Sequence, residues 1–162
     1  MIVADLSSQA DVKQAAEAFL SMEKPLDILL NNAGIMNRER NETIDGLEEV
    51  FSVNHLAYFT FTLLLTEKLK NTSGSRVVNV ASGAHQFVKD MNFEDLQSEK
   101  TFRPMQVYGQ SKLANILFTK SLSEKLSSFG VTVNCLHPGF VSTGIAVSYT
   151  HLTLPDDTPC VD

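Results

Sequence analysis

The period of the apolar positions changes several times along the chain, and each change marks a boundary between strand and helix. Residues 1–4 are an apolar run closed by Asp5-Leu6-Ser7-Ser8, which predicts the tail of a buried strand and a helix start. From a Ser7/Ser8 cap or Asp11 to Leu20, the residues Val12, Ala15, Ala16, Phe19 and Leu20 recur on one side of a helix that Lys24-Pro25 stops. Residues 26–30 are apolar apart from Asp27, as expected of a strand covered on both faces in a parallel sheet, and run into the small-residue turn Asn31-Asn32-Ala33-Gly34. A polar loop, 36–44, follows. Asp45 with Glu48 three positions later is a capping-box-like start for a long helix, with Leu47, Val50, Phe51, Leu56, Phe59, Leu63 and Leu64 apolar, Asn54 in its middle and an end near Leu69. After a turn at 71–75, residues 76–81 read as a second buried strand delivering Ser82-Gly83. Residues 84–105 are a loop long enough to suggest function. A helix from about Gln106 to Ser128 is expected to turn Leu113, Ile116, Leu117, Leu122 and Leu126 inward, Gly130 ends it, and 131–136 is a third strand opening into His137-Pro138-Gly139. The alternation predicts an α/β fold, a doubly wound parallel sheet in one domain, whose ligand site lies where these turns collect at the carboxyl ends of the strands.

Composition narrows the classes. The chain has 162 residues, 43% hydrophobic and 20% charged, enough for one globular domain with a real core. The longest apolar run, near 57–65, is interrupted by threonines and is far shorter than the roughly 20 residues of a membrane span. A net charge of -6, with 13 basic residues and no dense basic run, argues against nucleic acid or an acidic membrane surface as partner. Cys135 and Cys160 fit neither a metal site nor a disulfide framework, and no signal peptide opens the chain, so a reducing, cytoplasmic setting is expected.

Tyr108 and Lys112 carry the chemistry. Four positions apart on a helix, they share one face. An ammonium beside a phenol favours the phenolate and is expected to draw the tyrosine pKa down, so that Tyr108 can trade a proton with an alcohol or carbonyl. His85 and His137 have no third metal ligand at suitable spacing and read as structural.

Asn31-Asn32-Ala33-Gly34, Asn54, Ser82, Tyr108, Lys112 and Pro138-Gly139, met in this order, resemble the short-chain dehydrogenase/reductases. Residues 78–85, the Asn92-Phe93-Glu94-Asp95-Leu96-Gln97 loop, and Tyr108 followed by residues 111–118 are most similar to the retinol dehydrogenase and protochlorophyllide reductase branch. The resemblance covers about residues 1–145 and implies an incomplete Rossmann-type sheet that transfers a hydride between NAD(P)(H) and an alcohol or carbonyl, of which an apolar or retinol-like one is the candidate. The branch favours NADP. Tyr108 would be the acid/base, Lys112 its partner and the holder of the nicotinamide ribose, Ser82 the donor to the reacting oxygen, and Asn54 the holder of a proton-relay water. Asp5 and Leu6 would touch the adenine, Asn32, Ala33 and Gly34 would pack beside the adenosine ribose, and Pro138, Gly139, Val141 and Thr143 would face the nicotinamide. The family also implies a homodimer through the Asn54 and Tyr108 helices. Two other functions share parts of this pattern: an extended-type sugar-nucleotide epimerase or dehydratase, and a non-catalytic fold member serving as a scaffold.

Two departures stand out. No glycine turn for a pyrophosphate precedes Asp5, so a reading frame that began earlier, with two further strands, is expected, and with it the loss of tight dinucleotide binding and activity in the 162 residues alone. After Ile145 the pattern stops, so the substrate lid and the last strand of the sheet are also expected to be missing. Residues 147–155 fit neither a substrate loop nor a helix of this family and resemble the translation of a sequencing adaptor. The expected division is a dehydrogenase part over 1–146 and a non-native tail over 147–162.

Overall fold

A computed structural model describes residues 1–139. Three parallel strands, β1 (Ile28–Asn31), β2 (Arg76–Val80) and β3 (Thr132–Leu136), lie in the order β1-β2-β3. Their register aligns Leu29, Val77 and Val133, and two residues further on Asn31 with Asn79. Side chains alternate across a strand, so these positions share the face on which the helices pack. There Leu29, Val77 and Val133 join Ala16, Leu65, Leu69, Phe118, Leu122 and Leu126 in the core.

Helix α1 (Gln9–Leu20) starts at Ser8, whose Oγ accepts from Asp11 N at 3.2 Å. It buries Val12, Ala15 and Ala16. Helix α2 spans 49–64 and contains a π turn over Ser52–Leu56, and a short α3 (Thr66–Lys70) follows Leu65. The cap of α2 is Glu48, not Asp45: its carboxylate accepts from Val50 N at 2.9 Å and Phe51 N at 2.6 Å. Asp45 instead accepts from Gln9 N and so ties this loop to the start of α1. Helix α4 (Pro104–Leu126) opens on a proline, whose missing N–H lies among donors that no helix start can satisfy internally. Gly130, at φ 73°, closes the turn after α4 in the left-handed conformation that suits glycine.

Four further expectations change. Residues 1–4 form no strand, and Met1 and Val3 are exposed, because among the described residues no neighbouring strand offers them backbone partners. Helix α1 ends at Leu20 as expected, but Ser21 and not Lys24-Pro25 closes it. Strand β1 is covered on one face only: Ile28 and Leu30 remain 60% and 58% exposed on the side where no described helix packs. In α4, Leu117 is exposed and Leu113 and Ile116 are only half-buried; the inner side carries Ser111, Lys112, Ala114, Asn115, Phe118 and Thr119. Apolar spacing missed this stripe because four of these six residues are polar.

Gly109 lets α4 come close to the turn after β2. A Cβ there would stand 2.7 Å from the Ala84 carbonyl oxygen, a backbone atom that cannot swing aside. Gly109→Ala is therefore expected to cost about 1–3 kcal/mol, read as a lower urea midpoint. An unchanged midpoint would mean that the turn yields freely.

Candidate active site

The carboxyl ends of β1 and β2 and the inner side of α4 meet around Lys112. This side chain is 2% exposed, and its ammonium donates to Val80 O at 3.1 Å. It lies 5.5 Å from the centre of the Tyr108 ring and 5.9 Å from that of Tyr58. No carboxylate pairs with it among the described residues, and burial pulls its pKa down to about 8. Ser82 follows β2, and its side chain lies close enough to the Tyr108 hydroxyl to pull that group's pKa down. The Tyr108 phenol nonetheless titrates above its ordinary value, because burial outweighs the Ser82 contact. The lowering expected from Lys112 is not what the structure shows: the ammonium is turned to a strand carbonyl.

Asn54 is fully buried in the π turn of α2. Its Oδ1 accepts from Ile35 N at 2.8 Å, and its Nδ2 donates to Ile35 O and Ser111 Oγ, so its amide holds the loop after β1 against α4. Gly34 sits in the same corner. A Cβ on it would lie 3.3 Å from both Asn54 Oδ1 and Lys112 Nζ, so a side chain here would press on both polar groups. Ala33 O accepts from the Tyr58 hydroxyl at 2.6 Å, and both Asn32 and Ala33 are exposed at the strand end. Asn54, Ser82, Tyr108, Lys112 and Gly34 thus form one cluster. Pro138 and Gly139 follow β3, exposed, beyond His137, which bonds Gly83 beside Ser82. Asp5 lies apart from the cluster at the start of α1, its carboxylate lowered in pKa by hydrogen bonds from Ser7, and Leu6 lines an apolar groove with Ile2, Val12, Phe19 and Phe61. Val141, Thr143 and the tail over 147–162 lie outside the described residues.

A chain of buried amides and hydroxyls holds these elements in place, and motif spacing did not reveal it. Asn31 Nδ2 donates to Thr62 Oγ1 and to Asn79 Oδ1, Asn79 Nδ2 to Thr119 Oγ1, and Thr119 Oγ1 to Asn115 O. Asn115 Nδ2 then reaches Asn54 O at 2.8 Å, while its Oδ1 accepts from His55 Nδ1 at 2.9 Å. Burial lowers the pKa of His55 and favours the neutral ring. The available signal was a polar residue at the same place in two apolar strands, Asn31 and Asn79. Such a network is costly if half-made and specifies one arrangement when complete.

A parallel sheet with small-residue turns at its carboxyl ends and a Ser-Tyr-Lys cluster beside them defines a dehydrogenase-like α/β protein. The family described as short chain dehydrogenase matches residues 1–152, and the chain belongs to this family. It is 47% identical to retinol dehydrogenase 12 of Mus musculus over 141 residues, which is 87% of this chain and 44% of that protein. The chain thus spans less than half the length of such curated relatives. Among solved structures, an uncharacterized protein from Mycobacterium Paratuberculosis is 35% identical with a TM-score of 0.76, over 89% of this chain and 52% of the other. A blue fluorescent protein from a metagenomic library, in complex with NADPH, is 27% identical with a TM-score of 0.67, over 88% and 53%. The three strands are therefore part of a Rossmann-type sheet. No helix of the described residues is long and apolar enough to cross a membrane.

Proposed function

We propose that this chain is the catalytic segment of an NADP(H)-dependent oxidoreductase acting on an apolar, retinol-like alcohol or its carbonyl. The observation that carries the reading is the meeting of Ser82, Tyr108 and Lys112 at the carboxyl end of the sheet. The site suits a nicotinamide cofactor: Gly34 leaves open a corner that a methyl group would fill, and Lys112 has donors to spare beyond its bond to Val80. Lys112, Gly34, Asn32 and Ala33 would hold it, with Pro138 and Gly139 at its nicotinamide end. Giving and taking the hydride is the chemistry the bound cofactor supplies. Tyr108 gives its hydroxyl proton to the carbonyl oxygen in reduction and takes it back in oxidation. Its raised pKa keeps that proton in place at neutral pH. Ser82 donates to the same oxygen and fixes it beside the phenol, while Asn54 keeps the Gly34-Ile35 loop shaped. Exposed Phe59, Leu63 and Leu64 on α2 and Leu117 on α4 support pairing of two copies through these helices.

The reading is tested by placing residues 1–139 in the matching segment of mouse retinol dehydrogenase 12 and assaying reduction of all-trans-retinal with NADPH deuterated at C4. Deuterium transferred to the product supports the proposal. A folded chimera that binds NADPH yet leaves retinal and simpler apolar aldehydes unchanged would remove it.

A further inference from the structure

The two histidines that spacing set aside as structural converge on one peptide group. The Ser82 carbonyl oxygen accepts from His85 Nδ1 at 2.6 Å, and the Gly83 N–H donates to His137 Nδ1 at 3.0 Å. Both bonds belong to the peptide joining Ser82 to Gly83, so one imidazole holds its oxygen and the other its hydrogen. Backbone chemistry fixes the roles. A carbonyl can only accept, so His85 carries its proton on Nδ1; an amide N–H can only donate, so His137 presents a bare Nδ1 to it. Gly83 allows this approach, since a Cβ there would lie 3.3 Å from His137 Nε2 and 3.5 Å from Cε1.

We infer that His85 and His137 clamp the Ser82–Gly83 peptide and thereby position the Ser82 hydroxyl on Tyr108, with His137 as the acid-sensitive half of the clamp. The inference rests on the role given to Ser82 and Tyr108 above. Both imidazoles are positioning residues, acting through Ser82. Ser82 Oγ also accepts from Ala84 N at 3.2 Å, so rotation of the clamped peptide plane moves the hydroxyl's own anchor. The two imidazoles respond differently to acid. Protonation leaves His85 Nδ1 a donor and its bond intact, whereas it converts His137 Nδ1 from acceptor to donor and sets two hydrogens against each other. The other titratable groups around this peptide are Tyr108, beside the Ser82 side chain, and Lys112, which donates to Val80 O two residues before Ser82. Neither offers Gly83 N–H a replacement acceptor, and because the bond lies at the surface, water takes the place of the imidazole when it turns away.

The test is nuclear magnetic resonance on the 162-residue chain labelled with 15N and with 13C at the tyrosine Cζ, with thermal melts confirming that each variant is folded. The expected result is an acceptor-type Nδ1 shift for His137 and a Gly83 amide and Tyr108 Cζ that titrate together as that ring takes up a proton. His137→Asn, whose Oδ1 can replace Nδ1 as acceptor, should keep both signals near their neutral-pH positions and abolish the titration. His137→Phe should hold both near their acid positions at every pH. His85→Asn, which retains a donor, should leave the titration in place. A His137 protonated on Nδ1 at neutral pH would overturn the clamp, as would a Gly83 amide that ignores the titration or a Tyr108 signal unchanged in His137→Phe. None of these readouts needs turnover, so a chimera without activity would remove the proposed function and leave this result to stand or fall separately.

Discussion

Tyr108→Phe in the retinol dehydrogenase chimera is expected to lower kcat by about a thousandfold, within the range that general acid–base groups supply. The ring stays in its half-buried place and only the hydroxyl is lost, so the melting temperature and the NADPH dissociation constant should change little. The loss should appear equally in kcat and kcat/KM, as when an interaction made only in the transition state is removed. Retained turnover would show that the phenol is not the proton source and would favour a scaffold function. The sign of the tyrosine shift adds a second expectation: a phenol held above its ordinary pKa by burial stays a proton donor at neutral pH, so reduction should persist on the alkaline side of neutrality.

Lys112→Met should separate stability from activity, raising the first and lowering the second. The ammonium is buried with one carbonyl partner, and its pKa falls from 10.5 to about 8. Between those values the unfolded chain holds a proton that the folded chain has released, so stability rises with pH across the window. Below about 8 the whole penalty is present, about 3 kcal/mol by the usual conversion of pKa into free energy. Methionine removes it at the loss of one hydrogen bond worth about 1 kcal/mol. At pH 7 the variant should therefore be more stable by about 2 kcal/mol, and its urea midpoint should stay flat between pH 8 and 10 while the parent's climbs. Turnover in the chimera should fall by at least a hundredfold, in line with the loss of a group that positions substrate or cofactor. A destabilised variant at pH 7 would mean that the ammonium is better accommodated than its surroundings indicate.

What could be read from the chain alone follows from the kind of signal each feature carries. Leu26 to Leu30 and Arg76 to Ala81 were legible as strands because buried strands of parallel sheets are rich in apolar residues, interrupted here only by Asp27, Arg76 and Asn79. Ser82, Tyr108 and Lys112 were legible through order and spacing. The inner side of α4 was not, because Ser111, Asn115 and Thr119 are buried by partners that lie up to 61 positions away, at Asn54. The cap at Glu48 was displaced by one turn for a related reason: Asp45 is taken by Gln9, a contact across 36 positions. Residues 1–4 carry a strand's composition without a strand's neighbour among the described residues. The upward shift of Tyr108 depended on where the Lys112 ammonium points, which helical spacing leaves open.

The π turn over Ser52–Leu56 fixes a count as well as a shape. Each residue advances a helix by about 100°, so a helix that accommodates one extra residue in a single turn keeps what lies on either side in a phase that a regular helix would not give. Asn54 faces the corner shared by Gly34 and Ser111, while Tyr58, four residues later, reaches Ala33. Deleting His55 or Leu56 would leave Asn54 and Tyr58 three positions apart instead of four and so change the angle between them at the end of β1, even if every remaining residue were unchanged. Length at that point is thus as much a part of the site as residue identity.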